Sequence, residues 1–216
     1  MPDYLKQRLN MVESQVRTND VTDGRIQAAM REVPRERFVP EDKRPLAYAD
    51  TVVEVWHRRF LLDPRTFAKL AELAEIAPAD RLLDVGCASG YSTAVLARLA
   101  GTATAIEEDA ELVTRASESL AECGCDARVL GGKLSDGAAA HAPYDVIFIN
   151  GAVEIEPLRL LEQLGERGRL VTVVRNGGQS RANVFVRDRG RVGNRTDFDA
   201  YVPVLPGFAR EKAFVF

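Results

Sequence analysis

Two acids and a run of small residues carry the chemistry that stands out in this chain. Asp84 lies two residues before Gly86-Cys87-Ala88-Ser89-Gly90, and Glu107 closes the next apolar stretch, Thr102–Ile106. Small residues let a backbone approach a ligand closely, and the start of a following helix offers it unpaired N–H groups. A carboxylate about 20 residues beyond such a turn is where a ribose hydroxyl is held in dinucleotide-binding units. The full dinucleotide fingerprint is not met: Gly86-x-Ala88-x-Gly90 has alanine at the second glycine, and Tyr91 falls on the third. An NAD site and an ordinary β–α turn with no ligand are therefore the alternatives. Asn150 and Gly151 end another apolar run, where open α/β sheets bind ligands. Asn150 either touches a ligand there or caps its own turn.

These residues need a strand before each acid and a helix after the turn. Arg81–Val85 reads as a short buried strand and Ser92–Leu99 as the helix. Glu111–Glu122 carries Leu112, Ala116 and Leu120 at helical spacing, and Arg128–Leu130 reads as a further strand. Tyr144–Asn150 is the clearest buried strand, followed by a helix over Glu156–Leu164 with Pro157 in its first turn and a strand over Gly168–Val174. Gln179–Asp188 and Arg191–Ala200 read as an antiparallel hairpin, and Ala213–Phe216 as a terminal strand. Upstream, Leu5, Leu9, Val12 and Val16 predict an amphipathic helix over residues 4–18. Asp23 is a candidate N-cap for a helix with Ile26, Ala29, Met30 and Val33 on one face, and Arg65–Ala77 is a third.

Asp84, the G-x-A-x-G turn and Glu107 together resemble the S-adenosylmethionine (SAM) site of class I methyltransferases. The resemblance implies that Asp84, Gly86, Cys87, Ala88, Ser89 and Gly90 line the methionine end, that Glu107 holds the ribose hydroxyls, and that Asn150 lies beside them. The run VTDGRIQAAMREVPRERFVPED, followed by Ala47-Tyr48-Ala49-Asp50, is similar to the D-x-R-V-x-x-A-M-x-x-V-P-R-x-x-F-V-P and A-Y-x-D segments of protein-L-isoaspartate O-methyltransferases. With the later strands, the resemblance covers about Met11 to Val174. It implies a doubly wound, Rossmann-like α/β sheet, mostly parallel, with an antiparallel C-terminal hairpin and an N-terminal helical extension. It also implies one SAM-dependent domain over residues 1–216: a helical cap and substrate loop over 1–77 and a Rossmann-like core over 78–216. The activity implied is methyl transfer from SAM to a carboxylate of a protein or other acceptor, leaving S-adenosylhomocysteine (SAH). The alternative is a non-catalytic SAM- or SAH-binding homologue acting as a sensor or adaptor.

Two segments depart from that family. Its glycine-rich G-x-G-Q-T-I-S-Q-P stretch, whose hydroxyl residue matters for transfer to isoaspartate, is replaced by Val55–Pro64. Pro64 keeps the register, so Arg59 takes the first glutamine position, Phe60 the threonine and Leu62 the serine. Leucine neither donates a hydrogen bond nor relays a proton. Apolar bulk at Phe60, Leu61 and Leu62 either fills the acceptor cleft or shapes an apolar pocket. Arg58 and Arg59 read as a solvated pair, or as an attraction for an acidic acceptor. The family's adenine-contacting aspartate is Gly132 here; Asp136, four residues on, either replaces it or sits in a solvated turn. Ala88 stands where many relatives have glycine, and its loop position implies that Ala88→Val blocks the donor without unfolding the protein. No residue of the chain is assigned a catalytic role by its sequence.

Composition sets bounds on the rest. The 216 residues are 46% hydrophobic and 28% charged, with a net charge of −3. That balance gives no basic field for nucleic acid or anionic membrane. No apolar run approaches the ~20 residues of a membrane span, and the start lacks a signal-peptide core, so a cytoplasmic protein is expected. Cys87, Cys123 and Cys125 fit a reducing compartment. With His57 and His141 far apart and no cysteine cluster, no metal site is expected. Arg175, Arg181, Arg187, Arg189 and Arg191 read as a solvated strand face.

Overall fold

A computed structural model describes residues 3–211. The expected strand at Ala213–Phe216 lies outside the described residues. Among the described residues, nine strands form two sheets. A small antiparallel hairpin pairs β1 (Val53–Trp56) with β2 (Arg59–Leu61), Trp56 facing Arg59 across a turn at His57-Arg58. The main sheet holds β3 (Arg81–Val85), β4 (Thr102–Glu107), β5 (Arg128–Gly131), β6 (Tyr144–Val153), β7 (Leu164–Asn176), β8 (Gln179–Asp188) and β9 (Arg191–Asp199) in the order β5-β4-β3-β6-β7-β8-β9. The first five are parallel; β8 and β9 add an antiparallel meander.

Side chains alternate across the central strands, and each face is buried. Leu82, Val146 and Phe148 point to one core, shared with the N-terminal helices and α3 (Pro64–Leu73). Leu83, Val85, Ile147 and Ile149 point to the other, closed by the short α6 (Leu158–Leu161) and the 203–208 segment. This two-faced burial is why these strands read as continuous apolar runs. The chain leaves β3 towards β4 and β5, then returns to β6 on β3's other side. The ends of β3 and β6 therefore form the switch-point crevice. Beside it, the β6–β7 register jumps between Phe148 and Ala152, a bulge that carries Asn150 and Gly151.

The N-terminal elements differ in detail from their periodicity. α1 spans Tyr4–Met11 and runs into a π turn, Val12–Val16, and a 3-10 turn, Arg17–Asn19. The wider turn resets the phase, so Met11, Val12 and Val16 are buried while Leu5 and Leu9 are 56% and 40% exposed. α2 spans Gly24–Glu32, with the Asp23 side chain accepting from the Arg25 N–H. α3 stops at Leu73, short of Ala77; Glu75 follows in the left-handed region at φ 45°. α4 (Tyr91–Leu96) and α5 (Ala110–Glu122) complete the β–α units, and Asp109 caps α5 through the Glu111 and Leu112 N–H groups. Val184 is buried but Val186 is exposed near the hairpin tip.

Candidate active site

The turn after β3 is built for close approach. Gly86, Ala88 and Gly90 all have positive φ, at 80°, 50° and 94°. At φ 80° Gly86 is where glycine is favoured, and a Cβ there would meet the side-chain ends Leu205 Cδ1 at 2.9 Å and Arg59 Nη2 at 3.0 Å. Across the crevice, a Cβ on Gly151 would lie 2.6 Å from Leu205 Cγ. Leu205 arrives on a segment hydrogen-bonded to β6 through Ala152. Ala88 is fully buried and left-handed, which corrects the expectation for Ala88→Val: a β-branched side chain at φ 50° in a packed core strains the fold itself.

Asp84 is completely buried at the end of β3. Its Oδ2 accepts from Ser92 Oγ at 2.6 Å and Thr93 Oγ1 at 2.7 Å, both at the start of α4, while Oδ1 has no protein partner. Burial pushes the carboxyl up to about 6; the two hydroxyls pull it down, nearby Glu107 raises it and Arg59 lowers it. Asn150 Nδ2 donates to Ser92 Oγ at 3.1 Å and to the Gly86 carbonyl at 3.3 Å. It thus ties β6 to the turn. Ser89 Oγ donates to the Phe38 carbonyl at 2.6 Å and ties the turn to the N-terminal cap. Cys87 is buried, and burial raises its thiol well above the usual range, so it is inert packing.

Glu107 is also fully buried, at the end of β4. Oε1 accepts from the Glu108 N–H at 2.9 Å; Oε2 accepts from the Ala88 N–H at 2.9 Å and from Arg59 Nη2 at 2.5 Å. One carboxylate therefore fixes the turn and binds a guanidinium from β2. Arg59 is 3% exposed, which overturns the solvated-pair expectation for it; Arg58 stays exposed in the hairpin turn at φ 57°. Leu61 and Leu62 join the cap core, and the Leu62 carbonyl accepts from the buried Arg35 at 2.6 Å. They fill no cleft. Phe60 is half-buried.

The structure thus brings together Asp84, Gly86, Ala88, Ser89, Gly90, Glu107 and Asn150 around one crevice, with Cys87 packed beneath. Asp136 is separate: it pairs with Arg159 at the partly exposed turn before β6. The dispersed arginines are used locally; Arg175, Arg181 and Arg187 donate to nearby backbone carbonyls. Sequence reasoning missed Ser92 and Thr93, whose hydroxyls one turn past Asp84 were a readable signal. It missed Leu205 and the role of Arg59, for which spacing carried none.

The strand order, the turn after β3 and the acid ending β4 define a class I methyltransferase fold. The family model described as protein-L-isoaspartate(D-aspartate) O-methyltransferase matches residues 6–207. A protein-L-isoaspartate O-methyltransferase of Methanoculleus marisnigri is 37% identical over 170 residues, 78% of this chain and 77% of that one. A solved protein-L-isoaspartate O-methyltransferase superposes with a TM-score of 0.80 at 21% identity, over 94% of this chain and 66% of that one. A Plasmodium falciparum structure described as a putative enzyme of the same name, in complex with SAH, gives 0.79 at 19% identity, over 92% and 97%. The chain belongs to the protein-L-isoaspartate(D-aspartate) O-methyltransferase family.

Proposed function

We propose that this protein is a SAM-dependent O-methyltransferase whose donor lies across the ends of β3, β4 and β6 and whose acceptor is a carboxylate. The observation that carries the reading is the buried Glu107 at the end of β4, hydrogen-bonded to the left-handed turn that follows Asp84. The residues suit such a donor. Gly86 and Gly151 add no side chain of their own to the crevice floor, over which Leu205 and Arg59 lie in this structure, and Asp84 keeps one carboxylate oxygen without a protein partner. Gly86, Ala88 and Gly90 would hold the methionine end through backbone, and Glu107 the ribose hydroxyls. Cys87, Ser89 and Asn150 shape and brace that wall. The donor supplies a sulfonium that makes its methyl group electrophilic. A carboxylate is already nucleophilic at neutral pH, so the chain's part is to hold the two in line rather than to supply a strong base. The family membership favours an enzyme over a donor-binding sensor.

The acceptor side sets a limit on the substrate. Leu62 stands at the family's hydroxyl position and is buried in the cap core, with no hydroxyl to offer an isoaspartyl group. Transfer to an isoaspartyl peptide is therefore expected to be far weaker than in relatives with the polar stretch. The test is transfer from methyl-labelled SAM to an isoaspartyl peptide and, in parallel, to a protein extract. Label released by mild base marks a methyl ester and supports the reading. Only base-stable label, or none from either acceptor, would overturn it. Strong isoaspartyl turnover would show that the hydroxyl is dispensable.

A further inference from the structure

We propose that Arg59 is an internal occupant of the donor site, holding Glu107 where the donor's ribose hydroxyls would, so that donor binding and release of the β1–β2 hairpin tip are one event. This rests on the reading above that Glu107 receives the ribose. A carboxylate offers about four acceptor positions. At Glu107 Oε1 takes the Glu108 N–H and, at 3.5 Å, the Asp109 N–H, and Oε2 takes the Ala88 N–H and Arg59. The three N–H groups are fixed by the backbone that forms the site. Arg59 is the side chain among these partners, and it comes from a separate two-stranded sheet. Its Nη2 also stands 3.0 Å from where a Gly86 Cβ would be, in the space that glycine leaves open.

The occupant is incompletely held. Arg59 is nine-tenths buried, yet its Nε and Nη1 have no hydrogen-bond partner. A buried guanidinium with most of its fork unmatched is costly to keep, so a ligand that supplies Glu107 with two hydroxyls can displace it. The hairpin bearing it has strands of four and three residues, and such ribbons are marginal alone. The chain also carries its own reporter. Trp56, its one tryptophan, pairs with Arg59 in the hairpin register. Its indole N–H donates to Asp109 Oδ2 at 3.1 Å, two residues from Glu107, and the Arg115 guanidinium stacks 4.3 Å from its ring centre. Movement of the hairpin tip changes all of these surroundings.

The experiment is calorimetric titration of the intact protein with SAH, followed in parallel by Trp56 fluorescence. Arg59→Met keeps the stem and removes the competing charge, and should bind SAH about tenfold tighter if the closed form outnumbers the open one by ten to one. Arg59→Lys keeps the charge and protects the fold but carries it on a shorter side chain that holds Glu107 less closely, and should tighten binding by a smaller factor. In the unmodified protein, saturating SAH should shift the Trp56 emission. Unchanged or weaker binding in both variants, or a Trp56 spectrum unmoved by saturating SAH, overturns the occupant. Glu107→Gln separates the two readings: weakened binding there, without tightening at Arg59, removes the occupant and leaves the donor assignment standing. Unchanged SAH affinity in Glu107→Gln, or no SAH binding in any form, removes both.

Discussion

The turn after β3 and the β1–β2 hairpin meet at one carboxylate, but they are built on opposite terms. The turn works through backbone: left-handed residues, small side chains and N–H groups converging on Glu107. The hairpin works through one long side chain, Arg59, with its flanking Leu61 and Leu62 sunk into the cap core. Backbone geometry dictates residue type, so the turn leaves a signature in sequence. A guanidinium reaching 48 residues along the chain leaves none. A donor site thus shows in the sequence through its scaffold more clearly than through whatever competes for it.

The sharpest break in that comparison is Glu107→Ala. It strips the partner from a buried arginine and one anchor from the turn together, and should destabilise the protein by about 3–5 kcal/mol. Asp136→Ala at the partly exposed Arg159 pair should cost less than about 1 kcal/mol. Urea unfolding of the two variants checks both numbers. Equal losses would mean that the Arg59–Glu107 pair is no more than a surface contact.

Next in size is Leu62→Ser, which restores the family's hydroxyl on the hairpin side. Leu62 is 3% exposed within the core, so the change should cost about 3 kcal/mol, as large-to-small core substitutions do. Isoaspartyl transfer should not return, because the hydroxyl would sit among the apolar side chains of the cap core. Robust methylation of an isoaspartyl peptide by Leu62→Ser would show that one side chain separates this chain from its relatives.

Asp84→Asn tests the turn side alone, and its sign is unusual for a carboxylate. Folding raises the Asp84 carboxyl from 3.8 to about 6. Below about pH 4 both states carry the proton and nothing is lost. Between about pH 4 and 6 the folded state holds the proton while the unfolded state releases it, so stability falls as pH rises, by about 3 kcal/mol in all, and stays lower above pH 6. Asparagine keeps an oxygen for Ser92 and Thr93 and cannot ionise. It should stabilise the protein by about 2 kcal/mol at pH 7, less than the full amount because its amide also lacks a partner. Below about pH 4 only the amide's cost remains, and the variant should be less stable by about 1 kcal/mol, as measured by denaturant midpoints across the range.

These numbers also show why the sequence was readable in one place and not in another. Leu82–Val85 and Tyr144–Asn150 are buried on both faces, and such strands cannot be disguised. Gly86 and Glu107 were legible because a close backbone turn and a strand-end acid tolerate few substitutes. The N-terminal stripe was misplaced because a π turn at Val12–Val16 shifts the phase, and no residue there signals it. The helix expected over Glu156–Leu164 shrank to Leu158–Leu161, since neighbouring residues are drawn into Glu154–Phe208 contacts and into β7. Arg58-Arg59 looked like a solvated pair because spacing says nothing about a buried acid on another strand.

The smallest effect separates the turn's shape from its bulk. Ala88 has φ 50°, and an L-residue there costs roughly 1 kcal/mol that glycine would not. Against that gain, Ala88→Gly removes a buried methyl worth about 0.8 kcal/mol and frees the unfolded chain by about 0.5–1 kcal/mol. The terms nearly cancel, so the net change should be under about 1 kcal/mol, towards lower stability. The Ala88 N–H that binds Glu107 is kept in either residue, so SAH affinity should stay within about twofold, as it must if the turn acts through backbone alone. A large loss of affinity with little loss of stability would show that the Ala88 methyl itself shapes the donor site, and that this turn, like the hairpin opposite, depends on a side chain.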